Sequence, residues 1–231
     1  MNSTYSYTAG YPPRIHVPSR LSTSRKELTH LALAFVVLSV SIGILAIGPL
    51  RFGVGYAVTG LELAFALGFG AAAALTGFLN HELAHKIAAQ RLGYWAEFRM
   101  FPVGLLLAVL TAFVGFLFAM PGATVVEDIR DPRDFGRTSL AGPLVNLAQG
   151  GAFALVGTAL FLRAPGSLWP QILFPLGFFN GWFATFNLLP FGPLDGRKVL
   201  RWNLAIWIGS FAAAVGFTVF AYVVSFGLLR I

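Results

Sequence analysis

The 231-residue sequence contains no cysteine, and only 11% of its residues are charged. The absence of cysteine excludes disulfide bonds, thiol catalysis and metal sites built from cysteine. A soluble globular protein carries about 25% charged residues, so the low charged fraction excludes an ordinary cytosolic enzyme, a disordered chain and a nucleic-acid-binding protein. Hydrophobic residues make up 57% of the chain, and the net charge is +7. Basic residues placed between apolar segments are typical of an integral membrane protein.

Long apolar segments account for most of the chain. Residues 1–27 form a polar tail, and six apolar segments follow at about 28–50, 54–79, 103–120, 140–162, 168–189 and 206–229. A membrane-spanning helix needs about 20 apolar residues. The sequence therefore predicts an all-α integral membrane protein with about five to six transmembrane helices. We expect the tail at 1–27 to be followed by a single polytopic domain over 28–231.

The lysines and arginines predict the orientation of this domain. If 103–120 enters and leaves the membrane by the same face, 13 of the 16 basic residues lie on the side of the N-terminus. A full crossing by 103–120 would divide them almost evenly. Because cytoplasmic loops are enriched in lysine and arginine, we expect a multi-pass cell-membrane protein with a cytoplasmic N-terminus and an external C-terminus. Segment 103–120 is then a re-entrant or hairpin element.

The main chemical motif is His81-Glu82-Leu83-Ala84-His85. Residues at positions i and i+4 of a helix project from nearly the same face, so the two imidazoles can bind one zinc ion. Glu82 follows the first histidine and can act as a general base on a metal-bound water. The alternative is a pair of packing histidines. Three ionisable groups at the end of an apolar segment are costly and usually functional, which favours the metal site.

A catalytic zinc ion normally has three protein ligands and a water. The other histidines, His16 and His30, lie in or beside the tail, so a carboxylate is the expected third ligand. Asp195 is the favoured candidate, because helix-breaking residues surround it: Pro190, Gly192, Pro193 and Gly196. A plain Asp-Gly turn is the alternative for this segment, but the predicted topology places it on the same side as His85. The other carboxylates are interpreted as solvated loop residues or as lying near the opposite end of the second segment: Glu62, Glu97, Glu127, Asp128, Asp131 and Asp134.

Three motifs together resemble the site-2 proteases, a family of intramembrane zinc metalloproteases. They are the His81–His85 motif, the segment Ser139-Leu-Ala-Gly-Pro-Leu-Val-Asn146, and the segment Asn187-Leu-Leu-Pro-Phe-Gly-Pro-Leu-Asp195-Gly196. The resemblance covers a catalytic core at about 60–200. It implies one zinc ion per chain, held by His81, His85 and Asp195, with Glu82 as the base. It also implies that Asn187 holds substrate or stabilises the oxyanion. Asn146 is a further candidate for that role, although shaping the core, together with Pro143, is the favoured one.

The expected function is hydrolysis of peptide bonds in or beside the transmembrane helix of another protein. The expected partners are such a substrate and the lipid bilayer, with no nucleic acid. The active site is expected on the cytoplasmic side. Two alternatives stay open, a membrane metal-binding transporter and another membrane peptidase with the same histidine motif. A non-proteolytic protein with a structural metal is disfavoured, because structural zinc sites usually have four protein ligands and a fourth is not evident.

Segment 103–120 departs from the minimal pattern of the family. His85 and Asp195 can share a metal only if an even number of full crossings separates them. The two long segments between them, 140–162 and 168–189, account for two crossings. Segment 103–120 must therefore return to the side from which it starts. We expect it to line the route to the active site and to gate the substrate helix, or else simply to pack on the core.

Overall fold

The computed structural model describes residues 21–48, 57–164 and 166–227. The tail residue His16 and the basic residues Arg14, Arg20, Arg51 and Arg230 lie outside these ranges. The helices are α1 (Arg25–Ile47), α2 (Gly60–Ala73), α3 (Asn80–Arg91), α4 (Pro102–Val114), α5 (Pro132–Arg163), α6 (Pro170–Asn187), α7 (Asp195–Trp202) and α8 (Leu204–Phe226). A π-helical turn, Ala74–Leu79, joins α2 to α3, and two strands, β1 (Ala96–Met100) and β2 (Gly122–Val126), form a small sheet.

The described residues are mostly helical, which confirms the predicted all-α membrane class. Four helical segments are long and apolar enough to cross a membrane: α1, the continuous segment Gly60–Arg91, α5 and α8. The remaining predicted span, 168–189, contains α6, which has 18 residues but is not among these four, because polar Gln171, Asn180 and Asn187 interrupt its apolar sequence. It packs between α5 and α8. The exposed side chains of these helices are largely apolar, as expected for surfaces that face lipid.

Segment 103–120 folds back on itself, as predicted. Strands β1 and β2 flank it and pair antiparallel, with Met100 opposite Gly122. The N–H of Phe101 donates to the carbonyl of Pro121 over 2.9 Å, so the two ends of the segment are adjacent. Helix α4 has 13 residues and is therefore about 20 Å long. The hydrocarbon core of a bilayer is about 30 Å thick, so α4 is too short to cross it.

The two strands were not predicted from the sequence. They contain five residues each, and although β1 alternates apolar and charged residues, with Glu97 and Arg99 between Ala96, Phe98 and Met100, a run of five is too short to be distinguished from a polar loop by this pattern alone. The segment that contains β2 was interpreted as the beginning of a polar loop at 121–137. The structure shows instead that β2 packs against α3, and this contact brings it to the histidine motif.

A buried ion pair fixes α3 against α1 and the sheet. Lys86 Nζ lies 2.5 Å from Glu27 Oε2, and the side chains of both residues are almost inaccessible to solvent. The other oxygen of Glu27 accepts a hydrogen bond from the backbone N–H of Phe98 in β1 at 3.1 Å. One carboxylate thus joins three elements, since Glu27 lies in α1, Lys86 in α3 and Phe98 in β1. Lys86 directly follows His85, so this network fixes the helical turn that carries the histidine motif.

Candidate metal centre

The structure brings together His81, His85 and Asp195. The Nε2 atoms of the two histidines are 3.0 Å apart. Asp195 Oδ2 lies 3.3 Å from His81 Nε2 and 2.9 Å from His85 Nε2. All three residues are buried. Among the described residues, they form the one group of three histidine or carboxylate side chains whose ligand atoms converge closely enough for a metal ion.

The hydrogen bonding of His85 determines what its ring offers to a ligand. Its Nδ1 lies 2.7 Å from the carbonyl oxygen of Thr138 in α5. A carbonyl oxygen only accepts, so Nδ1 carries the hydrogen, and Nε2 of the neutral ring presents a lone pair. This lone pair points toward the carboxylate of Asp195 and toward His81. Converging electron pairs repel each other unless a cation lies between them.

The spacing of the three ligand atoms fits zinc. Zinc binds histidine nitrogen and carboxylate oxygen at about 2.0–2.2 Å, with tetrahedral geometry, which places neighbouring ligand atoms roughly 3.3 Å apart. The observed separations of 2.9–3.3 Å match this value closely. A histidine whose other ring nitrogen donates to a carbonyl is also the usual arrangement in zinc sites. The residues present therefore fit a zinc ion.

Glu82 is held by β2. Its Oε2 accepts two hydrogen bonds from Thr124, one from the backbone N–H and one from the hydroxyl group, each at 2.8 Å. The same hydroxyl lies 3.1 Å from the backbone carbonyl of Glu82. Glu82 is buried, and it lines the same cavity as the two histidines. The sheet thus fixes the side chain that the motif predicts as the general base.

Asp195 is the first residue of α7, directly after the segment of prolines and glycines that ends α6. Lys198 Nζ lies 2.9 Å from Oδ1, which leaves Oδ2 facing the histidines. Burial by itself raises the pKa of Asp195. The positive charge of Lys198 opposes the effect of burial, favours the ionised carboxylate and holds this pKa well below its ordinary value. The carboxylate is therefore ionised and able to bind a cation at neutral pH.

A glycine is required directly after Asp195. A Cβ atom at Gly196 would lie 2.0 Å from the carbonyl oxygen of Leu188, at the end of α6. The backbones of α6 and α7 thus approach too closely for any side chain at this position. This contact places the first turn of α7, and Asp195 with it, directly against the end of α6.

A cavity of about 640 Å³ opens over the three residues. Its walls are mainly aromatic and aliphatic and include Phe78, Phe101, Phe118, Phe135, Phe183, Phe186 and Phe191. The returning segment Phe118–Pro121 and the whole of β2 form one side. The predicted position of 103–120 beside the active site is therefore observed for its returning part, whereas α4 packs on α1.

The two asparagines predicted as substrate contacts lie in different surroundings. Asn187 lines the cavity, and its amide donates to the carbonyl of Phe183 at 3.0 Å. Asn146 is fully buried, and its Oδ1 lies 2.6 Å from Nδ1 of His81. A contact of either residue with substrate stays a prediction.

The carboxylates that the sequence did not favour as metal ligands make contacts outside the metal site. Glu62 caps the start of α2 through Thr59, and Glu97 pairs with Arg99 in β1. Asp131 caps the start of α5, and Asp134 accepts from the hydroxyl of Tyr94. His30 of α1 accepts a hydrogen bond of 3.4 Å from the N–H of Met100. The interpretation of Glu97 as a solvated loop residue is wrong, because it is buried in β1; the other contacts agree with roles in capping and packing.

Three residues of the site were not found from the sequence: Thr124, Thr138 and Lys198. Thr124 contacts Glu82 through its side chain, and Thr138 contacts His85 through its backbone carbonyl. Both residues are distant from the motif along the chain, so no local pattern indicates them. Lys198 follows Asp195 by three residues, and neighbours at this spacing share a helix face. That spacing was a usable signal.

Comparison with known proteins supports a metalloprotease. The chain is 39% identical over 153 residues to a protein of Methanocaldococcus jannaschii named "Putative zinc metalloprotease MJ0611", covering 64% of this chain and 74% of that protein. It is 30% identical over 172 residues to "Putative zinc metalloprotease Rip3" of Mycobacterium tuberculosis, covering 69% of this chain and 38% of Rip3. No family model matches the chain, and no solved structure does.

Proposed function

The chain belongs to the site-2 protease family of zinc metalloproteases, and we propose that it hydrolyses peptide bonds in or beside the membrane-spanning helices of other proteins. It is a membrane protein, and zinc is its cofactor. The observation that carries the proposal is the convergence of His81, His85 and Asp195, with Glu82 beside them, in a buried site between apolar helices. Such a site is accessible to a substrate that lies in the same membrane.

In the proposed mechanism His81, His85 and Asp195 hold the zinc ion. When bound, zinc supplies a Lewis acid that polarises the scissile carbonyl and lowers the pKa of a water molecule toward about 7. Glu82 removes the proton from the attacking water and delivers it to the leaving amine. Thr124 keeps Glu82 in place during this exchange, and Lys198 keeps the second oxygen of Asp195 occupied. Asn187 is the proposed contact for the substrate carbonyl, since it lines the cavity.

The cavity wall supports a substrate in extended conformation. A helical amide is shielded by its own hydrogen bonds, so the substrate helix must unwind before it can be cleaved. Strand β2 pairs with β1 on one edge, while its residues Gly122–Val126 line the cavity. Extended segments commonly bind by adding to a sheet edge; because the N–H of Thr124 already donates to Glu82, a substrate would pair with the other residues of β2. The apolar walls suit the aliphatic and aromatic side chains of an unwound transmembrane segment.

We further propose that the active site faces the cytoplasm. The support is the concentration of lysine and arginine in the tail, after α3 and in α7, which is the pattern of cytoplasmic segments. The paired ends of the 101–121 hairpin agree with this arrangement, because they keep the loops after α3 and before α5 on one side. The N-terminus is then cytoplasmic and the C-terminus external.

The test is cleavage of model single-span proteins by the purified protein in lipid vesicles, with Glu82→Gln as the matched variant. We expect cleavage by the wild type, loss of cleavage on chelation and recovery when zinc is added back. Glu82→Gln should keep zinc and lose nearly all activity, because an amide cannot accept the proton. Cleavage by Glu82→Gln at the wild-type rate, or cleavage that survives complete removal of the metal, would refute the assignment.

A further inference from the structure

The segment that carries the two histidines contains an irregular turn immediately before them. Ala74–Leu79 is π-helical, and the N–H of Asn80 bonds to the carbonyl of Leu75, five residues earlier. A π turn accommodates one residue more than an α-helical turn, and such turns are frequent at functional sites. Here the extra residue changes the direction in which His81 projects relative to α2.

Side chains of α5 bond to the carbonyl groups of this turn. Asn146 Nδ2 donates to the carbonyl of Gly77 at 2.9 Å and to that of Thr76 at 3.3 Å. Gln149 Nε2 donates to the carbonyl of Thr76 at 3.1 Å. A buried carbonyl without a partner is costly, so these amides stabilise the π turn in the place where it occurs.

The same contacts determine which way the amide of Asn146 points. Its nitrogen must face the carbonyls of Thr76 and Gly77, because carbonyl oxygens only accept hydrogen bonds. Asn180 supports this orientation: its own Nδ2 donates to the carbonyl of Leu176 at 2.9 Å, so its Oδ1 accepts from Asn146 at 3.1 Å. The oxygen of Asn146 is therefore the atom that faces His81.

This orientation fixes the tautomer of His81. Asn146 Oδ1 lies 2.6 Å from His81 Nδ1, and an amide oxygen cannot donate. Nδ1 therefore carries the hydrogen, and Nε2 presents its lone pair toward Asp195 Oδ2 and His85 Nε2. Both side chains are almost completely buried, so water cannot take the place of the amide.

We propose that Asn146 is the positioning residue of the metal site. Its amide nitrogen donates to the carbonyls of the π turn, and its amide oxygen holds His81 in the tautomer that binds zinc through Nε2. This inference rests on the proposed function, in which His81 is a ligand. In this proposal Asn146 acts on the metal site through His81. It affects the substrate only through the zinc ion. Gln149 bonds to the same turn without contacting His81. Its replacement therefore separates support of the π turn from orientation of the His81 ring.

The test compares Asn146→Leu with Gln149→Leu in purified protein, with zinc affinity measured by competition against a chromophoric chelator. Loss of a partner that orients a metal-bound histidine weakens metal binding by about 10- to 100-fold. We expect a loss of that size for Asn146→Leu and less than about threefold for Gln149→Leu. Equal losses in the two variants, or no loss in Asn146→Leu, would overturn the proposal.

A second readout does not depend on a variant that folds. In metal-free wild-type protein with ¹⁵N-labelled histidine, at a pH where the rings are neutral, His81 should carry its hydrogen on Nδ1. A hydrogen on Nε2 would overturn the proposal whatever the variants show. A wild-type protein that binds zinc but cleaves nothing would refute the proposed protease activity and leave both readouts of Asn146 intact.

Discussion

Replacement of Gly142 by alanine tests the position of the metal site most directly. Gly142 lies in α5, and a Cβ atom built there would be 2.5 Å from His85 Nε2 and 2.7 Å from His81 Nε2. Ordinary contact begins at 3.4 Å, so both rings would have to retreat by about 0.8 Å. A metal site tolerates deviations of only about 0.2 Å in its ligand distances. One methyl group therefore displaces the ligand atoms by several times this tolerance.

The expected result is loss of zinc without loss of the fold. Zinc affinity should fall by more than about 100-fold, the upper end of what removal of a supporting partner costs, and peptide-bond cleavage should fall with it. Gly151→Ala is the matched control, since Gly151 lies in the same helix and a Cβ atom there would have nothing within 4 Å. Alanine in a helix interior is more stable than glycine by roughly 0.5–1 kcal/mol, so Gly151→Ala should be slightly stabilised and fully active.

The assay measures zinc content and zinc affinity of the two variants, with circular dichroism as the check on folding. Wild-type affinity in Gly142→Ala would refute the reasoning, because it would mean that the ligand nitrogens do not lie against the backbone of α5. Equal loss of zinc in Gly151→Ala would refute it too, since the effect would then belong to any alanine in this helix.

Of three further predictions, two concern the supports of the site and one concerns the membrane topology. Thr124→Val should lower kcat by about 10- to 100-fold, the value of a hydrogen bond to a carboxylate, with unchanged zinc content, and Thr124→Ser should retain activity; equal activity of both variants would argue against a role for the hydroxyl. Lys86→Met should lower the melting temperature by roughly 6–20 °C, since breaking a buried pair costs about 3–5 kcal/mol, and adding Glu27→Gln should restore part of it; a double variant no more stable than Lys86→Met would contradict this. A cysteine at Glu127 should resist a membrane-impermeant thiol reagent applied from outside intact cells, and rapid labelling would reverse the proposed topology.

The local patterns of the sequence predicted the elements that are continuous along the chain. Apolar length predicted the long helices, and the i, i+4 spacing of His81 and His85 predicted two ligands on one face. The prolines and glycines before Asp195 predicted a break that frees its carboxylate. Each of these predictions uses residues of one continuous segment, where helix geometry directly relates sequence to direction.

The features that were missed depend on contacts between distant segments. Strand β2 forms because its backbone pairs with β1 and bonds to Glu82 through Thr124, and its own five residues carry no strong strand pattern. The π turn at Ala74–Leu79 has an ordinary apolar sequence, and its stability comes from side chains of α5. Hydrogen bonds of this kind follow from the tertiary arrangement, so single-segment reasoning cannot find them.

The segment Ser139–Asn146 shows how a motif acquires a physical meaning from the structure. Thr138, Gly142 and Asn146 are spaced by four residues and therefore share one face of α5. Thr138 supplies a carbonyl to His85, Gly142 allows the close approach, and Asn146 supplies an amide oxygen to His81. One face of α5 thus contacts the two histidines of α3 at three points along about two helical turns. The positions of the two histidines in the proposed metal site therefore depend on α5 as well as on α3, and a change on α5 that removes no ligand is expected to weaken metal binding.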